Sequence, residues 1–466
     1  MPLPGPVTRV LYEAYSRTSP WYRAGRLAHY RAVLASAERF DRRELESFQL
    51  GLLRDLLSCA EKTPFYARRF REVGLSASGL RSTEDLERLP VLEKRDVNVD
   101  PRTLHVPNAP RFRPGATSGT TGEPMRVRTT AEMDAAARAA RWRMFSWYGV
   151  PFGARTLAFK GGNQKRDRVL AATWKFASDV LGQTLRDAYR HSMEDGVREL
   201  VRLRPEVLLG YPSVLSELAS AADRMGVDLR RSGVGLVVCG GESFPESTRR
   251  ALGRAFAVPA RSLYGSHEGH YMGMECPEGS LHVQETVLLE IVRDDGSRAP
   301  AGEAGEVVIT PLLGRAMPLL RYRLGDRGRL MDAPCPCGRA TPTVGLDVCR
   351  VTEMVDLGNG RRVNSQLFQP MIHHAFGLRF GVDPESYRVV QTGPRSLEFQ
   401  LVLPRGAALP PGAGAFVGDL VRGALGGGID VHVVQARSLV RDASGKRRTF
   451  IPPGEAPRFR LGSGLD

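Results

Sequence analysis

Lysine is nearly missing from this chain. Six occur in 466 residues, so arginine carries almost all of the 66 basic side chains behind a formal net charge of +15. Cysteine is equally scarce, at six, too few for a disulfide framework in a chain of this length. Long apolar runs are also lacking. No stretch approaches the length of a membrane span, and no apolar segment follows a basic start as in a secretory leader, so a cytoplasmic protein with no membrane partner is expected. Blocks of like charge are absent too: the densest basic patch, Lys160 through Arg168, holds four cations. Dispersed arginines favour anionic ligands such as nucleotides, and no nucleic-acid partner is expected.

The remaining composition, 42% hydrophobic and 25% charged, is that of a globular protein with room for two or more domains. The first hundred residues have helical apolar spacing, as in Arg54 to Lys62 before Thr63-Pro64, and read as scaffold. Further on, short apolar runs alternate with helical segments. Arg155 to Lys160 reads as a strand that opens into a polar loop over 161–166, and Val207 to Tyr211 precedes a helix over Val214 to Met225. Gly235 to Cys239 precedes a helix over Glu246 to Ala255, and a short apolar step then leads to Tyr264. That rhythm implies a mainly parallel sheet whose carboxyl ends carry ligand loops, and Gly240-Gly241 and Tyr264-Gly265 fall at those ends. From Leu281 the pattern turns to strands, with one run over His282 to Val292 and a turn at Asp294-Asp295-Gly296. A boundary falls near residues 345–352. Beyond it a smaller unit is expected, with a helix near Leu367 to Phe376, a hairpin at Thr392-Gly393-Pro394 and a strand near Asp430 to Gln435.

The stretch that invites chemistry is Thr117-Ser118-Gly119-Thr120-Thr121-Gly122-Glu123-Pro124. Glycines let backbone N–H groups approach a ligand, and four hydroxyls add donors, so the loop is suited to phosphate oxygens. It lacks the Gly-Lys-Ser/Thr ending of the common P-loop, so positive charge must come from elsewhere. The plainer reading is a Ser/Thr/Gly linker, but an apolar helical segment, Ala131 to Tyr148, follows directly.

Two cysteine clusters also stand out. Cys276 and His282 are followed by Cys335-Pro336-Cys337, together three thiols and one imidazole. A Cys₃His set suits a closed, structural Zn²⁺ site, although these spacings are not those of the common finger. The alternative is a group of buried thiols beside an exposed histidine. Cys59, Cys239 and Cys349 read as apolar fillers.

Taken in order, the 117–124 loop, Gly240-Gly241-Glu242, Tyr264-Gly265-Ser266-His267-Glu268, Tyr322-Arg323-Leu324-Gly325-Asp326, Arg350 and Gly445-Lys446 resemble the acyl-adenylate-forming (AMP-binding) superfamily. Glu61 to Tyr66 and Cys335 to Arg339 make the chain most similar to its phenylacetate–coenzyme A ligase and CapK-like branch. The resemblance implies an α/β fold: a large N-terminal domain of mixed and parallel sheets with helices, residues 1–347, and a small mobile α+β C-terminal domain, residues 348–466. It implies ATP-dependent activation of a carboxylic acid as its adenylate and transfer to coenzyme A.

By the same resemblance, Thr117, Ser118, Gly119, Thr120, Thr121 and Gly122 would hold the departing phosphates and Glu268 would bind Mg²⁺. Tyr264, Gly265 and the Gly240–Glu242 turn would flank adenine, and Asp326 would accept from the ribose hydroxyls. Arg350 would lie near ribose or phosphate at a hinge, and Lys446 would meet the junction of carboxylate and α-phosphate. His267 stands where the family usually has an α-phosphate-contacting threonine. Thr352 stands where it usually has a hinge aspartate, which leaves open an amine, a carrier-protein thiol or a hydroxyl as acceptor. The basic Lys160–Arg166 loop suggests a polar or anionic substrate, or a partner bearing phosphate. The alternative from another class is a non-catalytic basic protein that binds nucleotide or nucleic acid. A homodimer is compatible with all of these readings.

Overall fold

Two helices near the N-terminus begin where the sequence supplies caps. The computed structural model describes residues 4–116, 125–160, 180–187, 192–242, 244–350, 354–358, 362–365, 368–440 and 448–458. Asp41 opens the helix Arg42–Ala60 with a reciprocal box: its side chain accepts from Glu44 N–H while the Glu44 carboxylate accepts from Asp41 N–H. Thr63 caps the next helix, Pro64–Val73, which has proline in its first turn and ends at Gly74 with a left-handed φ of 61°. Leu53, Leu56, Leu57, Tyr66 and Phe70 from this pair are buried against Val307, Ile309 and Tyr322 of a sheet far along the chain. The helix Ala131–Ser146 is alanine-rich and buries Ala135, Ala136, Ala139 and Ala140 along with Trp142 and Phe145. Its acidic first turn ties down the N-terminal helices: Trp21 Nε1 donates to Asp134 at 2.9 Å and Tyr30 Oη to Glu132 at 2.7 Å.

By contact the chain divides into two units, Met1–Asp347 and Val348–Asp466. In the first, β1 (Phe112–Ala116) and β2 (Arg126–Thr130) form an antiparallel hairpin. The main sheet is built from β3 (Thr156–Lys160), β4 (Gln183–Asp187), β5 (Val207–Gly210), β6 (Leu236–Cys239), β7 (Ala260–Ser266), β8 (His270–Glu275) and β9 (Leu281–Val283), in the order β4-β3-β5-β6-β7-β8-β9. The five strands from β4 to β7 in that order run parallel, and β8 and β9 add antiparallel edges. A second sheet follows the order β10 (Val287–Val292), β11 (Gly305–Pro311), β12 (Tyr322–Leu330) and β13 (Val344–Arg350).

The second unit pairs β14 (Met354–Asp356) with β15 (Arg362–Asn364) and has a four-stranded sheet. Its strands β16 (Ser386–Gly393), β17 (Ser396–Val402), β18 (Asp430–Gln435) and β19 (Phe450–Ile451) lie in the order β18-β17-β16-β19. Its core gathers Phe368, Phe376, Phe399, Val417 and Phe450. The whole is the mixed α/β class expected from the sequence. Among the described residues no helix is long and apolar enough to cross a membrane.

Two sequence expectations need correction. The run His282 to Val292 is two strands in two sheets, because a turn closed by Val287 N–H on Gln284 O breaks it between β9 and β10. The helix expected up to Phe376 is α-helical only over Phe368–Ile372 and continues as a π-helix, His373–Arg379. The helix Ala413–Leu425 has no counterpart in the sequence reading, because its six glycines and alanines hide the apolar stripe.

Candidate active site

The strands of the hairpin β1–β2, which flank residues 117–124 in sequence, pair up to Ala116 opposite Arg126. Thr117, Ser118, Gly119, Thr120, Thr121 and Gly122 lie outside the described residues, as do Thr352, Lys446 and the 161–166 part of the basic loop. Arg350 ends β13, and its side chain is likewise outside them.

Two expected nucleotide contacts meet directly. Tyr264 on β7 donates its hydroxyl hydrogen to Asp326 Oδ2 on β12 at 2.8 Å, joining residues 62 apart in sequence and in different sheets. Gly240 follows β6 at the carboxyl end of the parallel strands, where the backbone of β7 is so close that a Cβ would stand 2.6 Å from Leu263 O. No larger residue fits there without displacing the strand. Glu242 reaches back from the same turn, and its Oε2 accepts from Ser213 N–H, 3.2 Å away, in the first turn of the helix Pro212–Arg224. A carboxylate suits that position because the first N–H groups of a helix lack internal partners.

His267 and Glu268 form the turn between β7 and β8, held by Gly269 N–H donating to Ser266 Oγ at 2.9 Å. His267 is exposed and Glu268 half-buried. Both line a cleft, partly open to solvent, together with Val127, Arg128 and Thr129 of β2, Met133, Pro311, Gly314, Met317 and Leu319. Thr129 Oγ1 meets His270 Nε2 at 3.2 Å, which ties the hairpin to the end of this turn. Among the described residues Glu268 makes no hydrogen bond or ion pair. A half-buried carboxylate without a partner is suited to a hard cation. Arg128 and Thr129 were not anticipated, because nothing in their sequence context separates them from other strand residues.

A second constellation lies at the far end of β8 and β9. Cys276-Pro277-Glu278-Gly279 and Cys335-Pro336-Cys337-Gly338 make the same turn twice: Gly279 N–H donates to Cys276 O at 2.9 Å and Gly338 N–H to Cys335 O at 3.1 Å. Both glycines have positive φ, 83° and 79°. Proline at the second position and glycine at the fourth are the residues such turns favour. These turns bring the Cys276, Cys335 and Cys337 sulfurs and a His282 ring nitrogen within 4.8 Å of one another. His282 is not the exposed histidine of the plainer reading; it is 2% exposed. Burial lowers its pKa to about 4, so the ring is neutral. Its Nδ1 meets Thr341 Oγ1 at 2.9 Å and Thr341 O at 3.2 Å, and Nε2 faces Cys337 Sγ at 3.2 Å. An N–H on Nδ1 donating to Thr341 leaves the Nε2 lone pair toward the sulfurs, the tautomer a metal ligand needs. Cys276 and Cys335 sulfurs are 3.6 Å apart. The set fits Zn²⁺ in both donor type and number.

The architecture is that of the adenylate-forming ligases. 2-Hydroxyisobutyryl-CoA ligase, in its postadenylation state with R3-HIB-AMP, superposes with a TM-score of 0.72 at 22% identity over 91% of this chain and 92% of its own. In sequence the chain is 32% identical to the phenylacetate–coenzyme A ligase of Thermus thermophilus over 339 residues, 68% of this chain and 73% of that one. It is 30% identical to the enzyme of that name from Pseudomonas putida over 65% of this chain and 70% of the relative. The protein CapK of Staphylococcus aureus matches at 23% over 57% and 58%. No protein-family model matches the chain. The chain belongs to the phenylacetate–coenzyme A ligase family.

Proposed function

We propose that this protein activates a carboxylic acid with ATP and passes the acyl group to coenzyme A. The observation that carries the reading is the Tyr264–Asp326 hydrogen bond, which sets an aromatic ring of β7 beside a carboxylate of β12. In the first half-reaction a carboxylate oxygen bonds to the α-phosphorus, the α–β phosphoanhydride breaks, and pyrophosphate leaves. In the second, the coenzyme A sulfur bonds to the acyl carbon, the acyl–phosphate bond breaks, AMP leaves, and the thiol proton passes to solvent. The chain's task is to hold the partners in line and offset developing charge.

In this proposal Tyr264, Gly240, Gly241 and Glu242 border adenine, Gly265 gives it room, and Asp326 accepts from ribose. Residues 117–122 take the leaving phosphates, His267 the α-phosphate, and Arg350 ribose or phosphate, while Lys446 faces the reacting centre. Glu268 would hold Mg²⁺, which when bound neutralises phosphate charge. ATP–pyrophosphate exchange across a panel of carboxylic acids, phenylacetate first, tests the activity and names the acid. Exchange with no acid at all, beside tight salt-sensitive nucleic-acid binding, would favour the non-catalytic reading.

Cys276, His282, Cys335 and Cys337 belong to the same proposal as a structural Zn²⁺ site with no open position for chemistry. Elemental analysis of the purified protein is expected to find one zinc per chain, and Cys337→Ser to lose it. The variant should also melt several degrees lower, since metal affinity contributes to folding stability. Full zinc content in Cys337→Ser would rule this ligand set out.

A further inference from the structure

A left-handed backbone is free of steric cost for glycine and strained for a residue with a Cβ. Among the described residues Arg26, Asn108, Arg204, Ala257, His270 and Arg321 carry side chains at positive φ. Most have a local reason. Arg26 precedes a helix, Arg204 and Ala257 end one, and asparagine visits this region routinely. The Arg321 guanidinium is buried on Glu290 and on Leu89 O, contacts that glycine could not make. His270, with a φ of 56°, begins β8 directly after the turn that carries Glu268.

Ser266 pairs with His270 across a connection of three residues, 267–269. Short hairpin loops often need a left-handed residue where the chain rejoins the strand, and glycine is the usual choice. The surroundings hold His270 in that conformation. A Cβ on Gly265 of β7 would stand 2.4 Å from His270 O, and one on Gly269 would stand 2.4 Å from Met272 Sδ. A side chain kept at such a position implies a use for that side chain. The half-buried His270 ring shares a hydrogen bond with Thr129, Nε2 to Oγ1 at 3.2 Å, although the two residues are 141 apart in sequence. Thr129 borders the cleft that His267 and Glu268 also line. Its neighbour Thr130 caps the helix Ala131–Ser146, accepting from Met133 N–H at 3.1 Å, so the end of β2 is a fixed point. Glycine in place of His270 would relax the turn and lose this tie to β2.

We infer that His270 is a positioning residue for adenylation: its hydrogen bond to Thr129 fixes the turn of Glu268 against β2, and with it the place of the carboxylate in the cleft. The assignment rests on the adenylating activity and on Glu268 holding Mg²⁺. His270 itself touches neither metal nor nucleotide. It acts by removing freedom, since Glu268 lies two residues before it and a turn tethered at its end cannot rock away from the cleft wall. Mg²⁺ demands a near-ideal octahedral geometry, so a carboxylate held in place before the ion arrives binds it with less to reorganise.

The test measures ATP–pyrophosphate exchange and melting temperature in full-length variants, with the acid selected on the wild type. His270→Gly should melt within a few degrees of the wild type or above it, because relief of the left-handed backbone offsets the lost bond. It should nevertheless exchange roughly tenfold more slowly at ordinary Mg²⁺ and need several-fold more Mg²⁺ for half-maximal rate. His270→Ala keeps the strained φ without the bond, so it should be as slow and melt lower. His270→Asn accepts this φ and offers a hydrogen-bonding amide, so it should recover part of the rate. Thr129→Val removes the same bond from the other strand and tests it even where a turn variant fails to fold. It should match His270→Gly in rate, and the double variant should be no slower than either alone. A rate that follows melting temperature across the series, a wild-type Mg²⁺ requirement in His270→Gly, or multiplied losses in the double variant would overturn the positioning role alone. Absence of exchange by the wild type with every acid would overturn the activity reading and this role with it.

Discussion

Glu268→Gln is expected to raise the Mg²⁺ concentration needed for half-maximal pyrophosphate exchange at least tenfold and to lower the rate at ordinary Mg²⁺ by about 10². The substitution keeps size and shape and removes one charge, so a purely structural role for the side chain predicts almost no change. Its setting argues for the larger effect. The carboxylate is half-buried beside the cleft and has no partner among the described residues, whereas other acids of the same unit, such as Glu275 and Glu132, are held by arginines. Leaving a charge partly desolvated and unpaired is costly, and a cation offsets that cost. The amide binds Mg²⁺ less tightly because it offers one neutral oxygen instead of a charged pair. Excess Mg²⁺ should therefore recover part of the lost rate. Wild-type saturation in the variant would place the metal elsewhere.

How far the sequence exposes this arrangement varies with the kind of signal. The parallel strands were legible because runs such as Leu236 to Cys239, buried throughout, are apolar without alternation. The Cys-Pro-x-Gly turns were legible as ligand clusters because few residue types bind zinc, but their shared turn geometry was not, since it depends on two hydrogen bonds 59 residues apart in sequence. The meeting of Tyr264 with Asp326 was not readable from spacing at all: a pairing between different sheets is a property of topology. The resemblance assigned both residues to the nucleotide by motif order, which says nothing of a contact between them; the hydrogen bond supplies that.

Lys446→Ala is expected to slow adenylate formation by on the order of 10²–10³ while leaving ATP binding nearly intact. The reason begins with the scarcity of lysine. Only six lysines occur in the chain, Lys446 alone lies beyond residue 175, and the 117–124 stretch has none and includes Glu123. A loop of hydroxyls and amides can hold pyrophosphate in the ground state. The attack on the α-phosphorus adds charge there that such a loop meets only with dipoles. A compact ammonium acts where that charge develops, so its loss falls on the rate rather than on ATP affinity. Lys446→Arg should recover only part of the rate, because a broad planar fork does not reproduce a point charge. Thioester formation from added acyl-adenylate passes through no five-coordinate phosphorus, so the same variant should slow it far less. An unchanged exchange rate in Lys446→Ala would show that the charge comes from another residue, and equal slowing of both half-reactions would point to general damage instead of a role at phosphorus.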